Sequence, residues 1–91
     1  MLQFKNIKIV IASSFKDKLI GLMFKKNINY GLLLKNCRSI HTFFMKDAID
    51  VVAVDEKYKI IDKRKNVLPN KILIFNKKVK HIYELPKGTI K

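Results

Sequence analysis

Ninety-one residues carry 20 Lys and Arg against 7 Asp and Glu, a formal net charge of +13, and 48% of them are hydrophobic. That length holds one domain and excludes a separate cofactor-binding domain, while the apolar share suffices for a core and excludes a disordered basic tail. One cysteine, Cys37, forms no internal disulfide and fits a reducing compartment, so a cytoplasmic location is expected.

The chain enters charged and polar residues within its first six positions, and its longest apolar runs, such as residues 9–12 and 51–54, are four residues long. A membrane-spanning helix needs about 20, so a soluble, unprocessed chain without a membrane span is expected. Leu2 and Phe4, then Ile7, Ile9 and Ile11, alternate with polar residues and predict one strand, or two with a bulge at Lys5-Asn6. Ser14, with Asp17 three residues on, reads as a helix cap. Phe15, Leu19, Leu22 and Met23 follow at helical spacing and place the one helix near residues 14–23, with Gly21 allowing close packing. Residues 30–34 read as a buried strand and residues 35–36 as a turn. Residues 39–45 alternate, with His41, Phe43 and Met45 on one face and Ile40, Thr42 and Phe44 on the other, which assigns Phe44 to the core. Residues 51–54 form a buried β-branched run, and residues 55–57 turn the chain into residues 58–61. Residues 66–70 connect to strands at 71–75 and 79–85. On the last, Val79, His81, Tyr83 and Leu85 share one face, and Lys80, Ile82 and Glu84 the other. This inventory predicts a mainly β, single domain over residues 1–91: a small antiparallel barrel-like or jelly-roll-like sandwich with one short helix.

Two segments are more specific than this pattern: Gly21-Leu22-Met23-Phe24 after the helix, and His41-Thr42-Phe43-Phe44-Met45-Lys46-Asp47 leading into the acidic and apolar Asp50-Val51-Val52-Ala53-Val54. With Tyr30-Gly31-Leu32-Leu33 between them and Tyr83-Glu84-Leu85-Pro86-Lys87-Gly88-Thr89 near the end, the chain resembles the prokaryotic domain-of-unknown-function 192 family over about residues 4–90. The resemblance implies a small β-rich barrel-like or jelly-roll-like domain and no activity. The chain departs from the family pattern where Asp47 replaces a frequent Asn and Ile49-Asp50 a frequent Pro. Many members continue past the Gly-Thr segment into a final strand, so a C-terminally short sheet with an open edge is expected here.

The charge has two readings. Eighteen of the 20 basic residues are Lys, and Lys, Ile and Asn, all with A/T-rich codons, supply 38 of the 91 residues. Coding bias accounts for such an excess without selection for binding, but weak, salt-sensitive attraction to polyanions follows either way. A basic single-stranded nucleic-acid binder, with Tyr58 and Tyr83 stacking bases among lysines, is one functional reading.

Metal chemistry has little to work with. Cys37, His41 and His81 are the only Cys and His residues, no paired-ligand motif exists, and no cofactor is expected. A small hydrolase or isomerase using His41 with Asp50, or a Cys37-His41-Asp50 set, is a second reading, weighed against a buried structural thiol and against Asp47 and Asp50 serving turns. The most distinctive group is the cluster of Met and Phe. Met23, Phe24, Phe43 and Met45 supply adaptable apolar side chains, with His41, Lys46 and Asp50 as polar neighbours. These seven residues are the candidate site of a non-enzymatic binding module. Its expected partner is a small anionic amphipathic ligand or a protein segment added at a sheet edge, and a dimer is allowed.

Overall fold

The computed structural model describes Phe4 and residues 6–90. The roles expected of Leu2 and Lys5 lie outside the described residues.

The strand Ile49–Val54 (β4) is buried along its whole length, as its Ile-Asp-Val-Val-Ala-Val composition requires of a strand covered on both faces. It pairs antiparallel with Ile60–Val67 (β5) on one side and His81–Pro86 (β7) on the other. β7 pairs antiparallel with Tyr30–Leu34 (β2), and β2 pairs in parallel with Lys8–Ala12 (β1). The sheet order is therefore β1-β2-β7-β4-β5. Ser39–His41 (β3) and Ile72–Ile74 (β6) form a separate two-stranded sheet, and Phe15–Ile20 (α1) lies between β1 and β2 in sequence. The fold is mainly β: seven strands in two sheets and one short helix among the described residues, without closure into a barrel.

Each face of the large sheet has its own core. Ile49, Val51, Ala53, Leu32, Leu34 and Ile82 pack with Leu22, Ile40, Met45 and Phe75 on the side of the small sheet. Leu33, Val52, Val54, Tyr83 and Leu85 pack with Phe4, Ile9, Tyr58 and Ile90 on the other. Each fully buried aliphatic side chain contributes roughly 1.5–3 kcal/mol.

Turn chemistry follows the sequence at two ends. Ser14 Oγ accepts the Asp17 N–H at 3.0 Å, the expected cap. The Asp55 carboxylate accepts the Lys57 and Lys59 N–H groups, chiefly the latter, and these bonds hold its pKa below the usual carboxylate value.

Two expectations need correction. The alternation of residues 39–45 is a strand only through His41. Beyond it Thr42 is buried, and its Oγ1 donates to the Leu68 carbonyl and accepts the Lys71 N–H, each at 2.8 Å, which turns the chain. Phe44 then takes a left-handed φ of 64° and stands 61% exposed, not in the core. The helix is also shorter than its apolar spacing suggests. It stops at Gly21, whose φ of 51° and ψ of −125° are open to glycine and to few other residues. No residue of α1 is buried, so its Phe15 and Leu19 stripe is left uncovered.

Candidate functional site

The uncovered stripe forms one wall of a cavity of about 570 Å³ between α1 and the small sheet. Phe15, Leu19 and Ile20 line it from the helix, and Ile72 and Ile74 from β6. These five are all exposed, as is Phe43 beside them, so the molecule presents a contiguous apolar surface of the kind that takes a ligand or partner. β6 explains how this arises. A three-residue strand alternates, Leu73 turns toward the core, and its two isoleucines are left pointing the other way. Ile40 and Met45, both buried, complete the apolar lining.

His41 ties the two walls together. Its Nδ1 accepts the Phe43 N–H at 3.2 Å, which leaves the ring proton on Nε2 to donate to the Leu19 carbonyl at 3.0 Å. Both ring nitrogens thus serve backbone groups, and the ring also stacks on Phe43.

Of the other candidate residues, Phe43 and Met45 line the cavity with His41, whereas Met23, Phe24, Lys46 and Asp50 do not. Met23 is half-buried and its N–H donates to the Ile20 carbonyl, closing the turn after α1. Phe24, with a left-handed φ of 64°, donates its N–H to the Phe44 carbonyl at 2.9 Å, and the two rings stack at 5.4 Å. The Gly-Leu-Met-Phe and Phe-Phe-Met-Lys segments therefore meet in space through this exposed aromatic pair. Lys46 is exposed. Asp50 is buried on the opposite face of the large sheet, where its two oxygens accept the Asn66 and Ile90 N–H groups, each at 2.8 Å. It shares no hydrogen bond with His41. Cys37 is half-buried at the cavity edge and its thiol donates to the Ser39 carbonyl. Tyr83 is fully buried, so its ring is closed to a nucleic-acid base. No group of three metal-ligating side chains exists among the described residues.

The residue that sequence reasoning left out is Glu84. It lines the cavity, is 2% exposed, and its Oε1 has no hydrogen-bond partner among the described residues. It sits on β7 opposite Leu32 of β2 and Val51 of β4, on the face of the small sheet. It fits there because Gly21 lacks a side chain: a Cβ at that position would lie 2.9 Å from Oε1. Burial pushes its pKa up to about 8 from the usual carboxylate range. The signal in the sequence was a lone acid in the otherwise apolar strand, sharing a face with Ile82. The polar complement of the cavity is Lys18, whose Nζ donates to the Lys35 carbonyl, together with the exposed Arg38.

With this geometry in hand, the comparisons with known proteins agree among themselves. The DUF192 family model, Uncharacterized ACR, matches residues 2–91. A UPF0127 protein of Pyrococcus horikoshii is 34% identical over 87 residues, covering 89% of this chain and 74% of that protein. A UPF0127 protein of Thermococcus sibiricus is 33% identical over 89 residues, covering 91% of this chain and 57% of that protein. Two crystal structures share the fold. A Novosphingobium aromaticivorans protein of unknown function has a TM-score of 0.79 at 14% identity, covering 90% of this chain and 64% of its own. A Sinorhizobium meliloti protein described as a candidate transcription regulator has a TM-score of 0.81 at 18% identity, covering 90% and 70%. The chain thus spans less than two thirds of some of the proteins it matches. No helix among the described residues is long and apolar enough to cross a membrane.

Proposed function

The chain belongs to the DUF192 family of uncharacterised proteins, and on that premise we propose that it acts as a non-enzymatic binding module whose cavity between α1 and the small sheet takes the apolar body of a small amphipathic ligand. One observation carries this reading: six exposed apolar side chains, Phe15, Leu19, Ile20, Phe43, Ile72 and Ile74, line a single concavity that also contains a buried polar group, Glu84. A few placed polar groups in a mostly apolar concavity is the usual composition of a ligand pocket. The engagement of His41 and Asp50 with backbone groups supports binding over a reaction that uses them. The +13 charge, with Lys18 and Arg38 on the cavity lining, favours an anionic end on the ligand.

The test uses anilinonaphthalene sulfonate, an apolar body with an anionic end, read by fluorescence. Ile74→Glu, on an exposed wall position, is expected to weaken binding more than tenfold. Ile60→Glu, also exposed but outside the cavity, is expected to leave it unchanged. Equal losses in both variants, or no binding by the unaltered chain, would overturn the reading.

A second reading concerns polyanions. Lys57, Lys77, Lys78 and Lys80 line one depression, against Asp55 and Glu56, and Lys63, Arg64 and Lys65 stand exposed on the edge strand β5. With Tyr83 buried and the half-buried Tyr58 ring stacked on His81, this surface supports backbone attraction more than base stacking. Retention of single-stranded DNA on filters at low salt and its loss at about 0.3 M salt is expected; retention that survives high salt contradicts it.

A further inference from the structure

Glu84 is placed where a carboxyl is costly. An ionised carboxylate taken out of water needs a cation or several donors to offset its lost hydration. None reaches Oε1 among the described residues. The neighbouring strands offer no help, since Leu32 and Val51 stand opposite it in the sheet. The ionisable groups that share its cavity are Lys18 of α1, Cys37 and Arg38 between β2 and β3, and His41 of β3. Lys18 is turned to the Lys35 carbonyl, Cys37 to the Ser39 carbonyl, and His41 to Leu19 and Phe43, while the exposed Arg38 forms no ion pair with Glu84. The carboxyl therefore keeps its proton. A protonated carboxyl has one O–H to give, and no acceptor in the described structure takes it.

Resting on the cavity reading above, we propose that Glu84 is the recognition group of the cavity, donating its carboxylic O–H to the anionic end of an amphipathic ligand whose apolar body lies against Phe15, Leu19 and Ile74. A neutral donor at the inner end suits an anion. It satisfies one acceptor oxygen without requiring a buried cation, and the field of a +13 protein favours the approach of negative charge. The same site disfavours an ammonium ligand, which would enter against that field. The pocket is thereby specified as one for a carboxylate- or sulfonate-ended amphiphile, and its affinity depends on the Glu84 proton.

The consequence is directional. Once Glu84 ionises, it repels the anion, so affinity falls as pH rises through about 8, the value to which burial lifts this group. The probe is decanoate below its micelle concentration, with binding followed by calorimetry from pH 7 to pH 9. For the unaltered chain, affinity is expected to fall about tenfold across that range. Glu84→Gln, which keeps a neutral donor of the same shape, is expected to bind within about threefold at pH 7 and to lose the pH dependence. Cys37→Ser is expected to retain it, which separates the carboxyl from the nearby thiol. Should a variant fail to fold, the unaltered chain suffices: Glu56 and Glu84 are its only glutamates, so 13C-labelled Glu reports Glu84 directly, and saturating decanoate is expected to raise its titration midpoint. Affinity that is flat or rises with pH, an unmoved or lowered midpoint, or tighter binding of decylamine than of decanoate would overturn the assignment to Glu84 while leaving the cavity reading standing. Absence of decanoate and anilinonaphthalene sulfonate binding at every pH would overturn both.

Discussion

Asp50 and Glu84 occupy adjacent strands of one sheet, are both about as buried as a side chain can be, and face opposite ways. Asp50 has both oxygens filled by backbone N–H donors, one from β5 and one from Ile90. Glu84 has its Oε1 bare and its carboxyl is pressed against Gly21, which has no side chain. The pair teaches that burial alone does not separate a structural acid from a site acid. The partner inventory does, because a satisfied carboxylate stabilises the fold and an unsatisfied one costs it stability.

The largest expected effect tests the satisfied member. Asp50→Ala removes two hydrogen bonds that a buried carboxylate accepts from the part-buried Asn66 and Ile90 N–H groups, and is expected to cost about 3–6 kcal/mol in urea unfolding. A loss below about 1 kcal/mol would mean that water reaches those donors and that the contrast is weaker than the geometry indicates.

Next comes the unsatisfied member. The folded-state pKa of Glu84 is raised from 4.5 to about 8. Between those values the folded chain holds a proton that the unfolded chain has released, so stability is full below about 4.5, falls as pH rises, and levels off above about 8. The total is on the order of a few kcal/mol. Glu84→Gln is expected to remove that decline and to be more stable than the unaltered chain at pH 8. A decline that persists in the variant belongs to another group.

A smaller effect probes the contact that makes room for Glu84. Gly21→Ala is expected to cost about 1–3 kcal/mol, from its positive φ and from crowding of Oε1. Part of the cost is expected to disappear in a Glu84→Ala background, where only the backbone strain remains, and a double-mutant cycle measures that part. The smallest effect is the exposed counterpart of Asp50. Ser14→Ala frees an acceptor-bound N–H that water can reach, so the expected cost is only about 1 kcal/mol.

Much of the fold was legible in the residues. The β-branched run of β4, the Ser14 cap and the Asp55 turn each announce their structure locally. What was not legible is what alternation cannot carry. Residues 39–45 keep a period of two, yet Thr42 spends its hydroxyl and peptide on the 68–71 connection and ends the strand. Phe15 and Leu19 have helical spacing, but nothing in the spacing says whether a partner covers them. Of the seven candidate site residues, His41, Phe43 and Met45 share the cavity. Glu84 was passed over because an acid at one position of an apolar strand looks, in sequence, like a solvent-facing one. Only the central place of β7 in the sheet, with the Gly21 turn and the small sheet over that face, makes it internal.

That central place bears on how the chain is assembled. β7 follows all of its partners in sequence yet lies between β2 and β4. During synthesis, the β1–β2 pair and the β4–β5 hairpin emerge first, each with an edge of unpaired peptide groups and no inner neighbour. Neither half can lock until β7 leaves the ribosome and threads between them. The same late arrival delivers Glu84 beside Gly21, so this chain folds all at once or leaves two adhesive edges exposed.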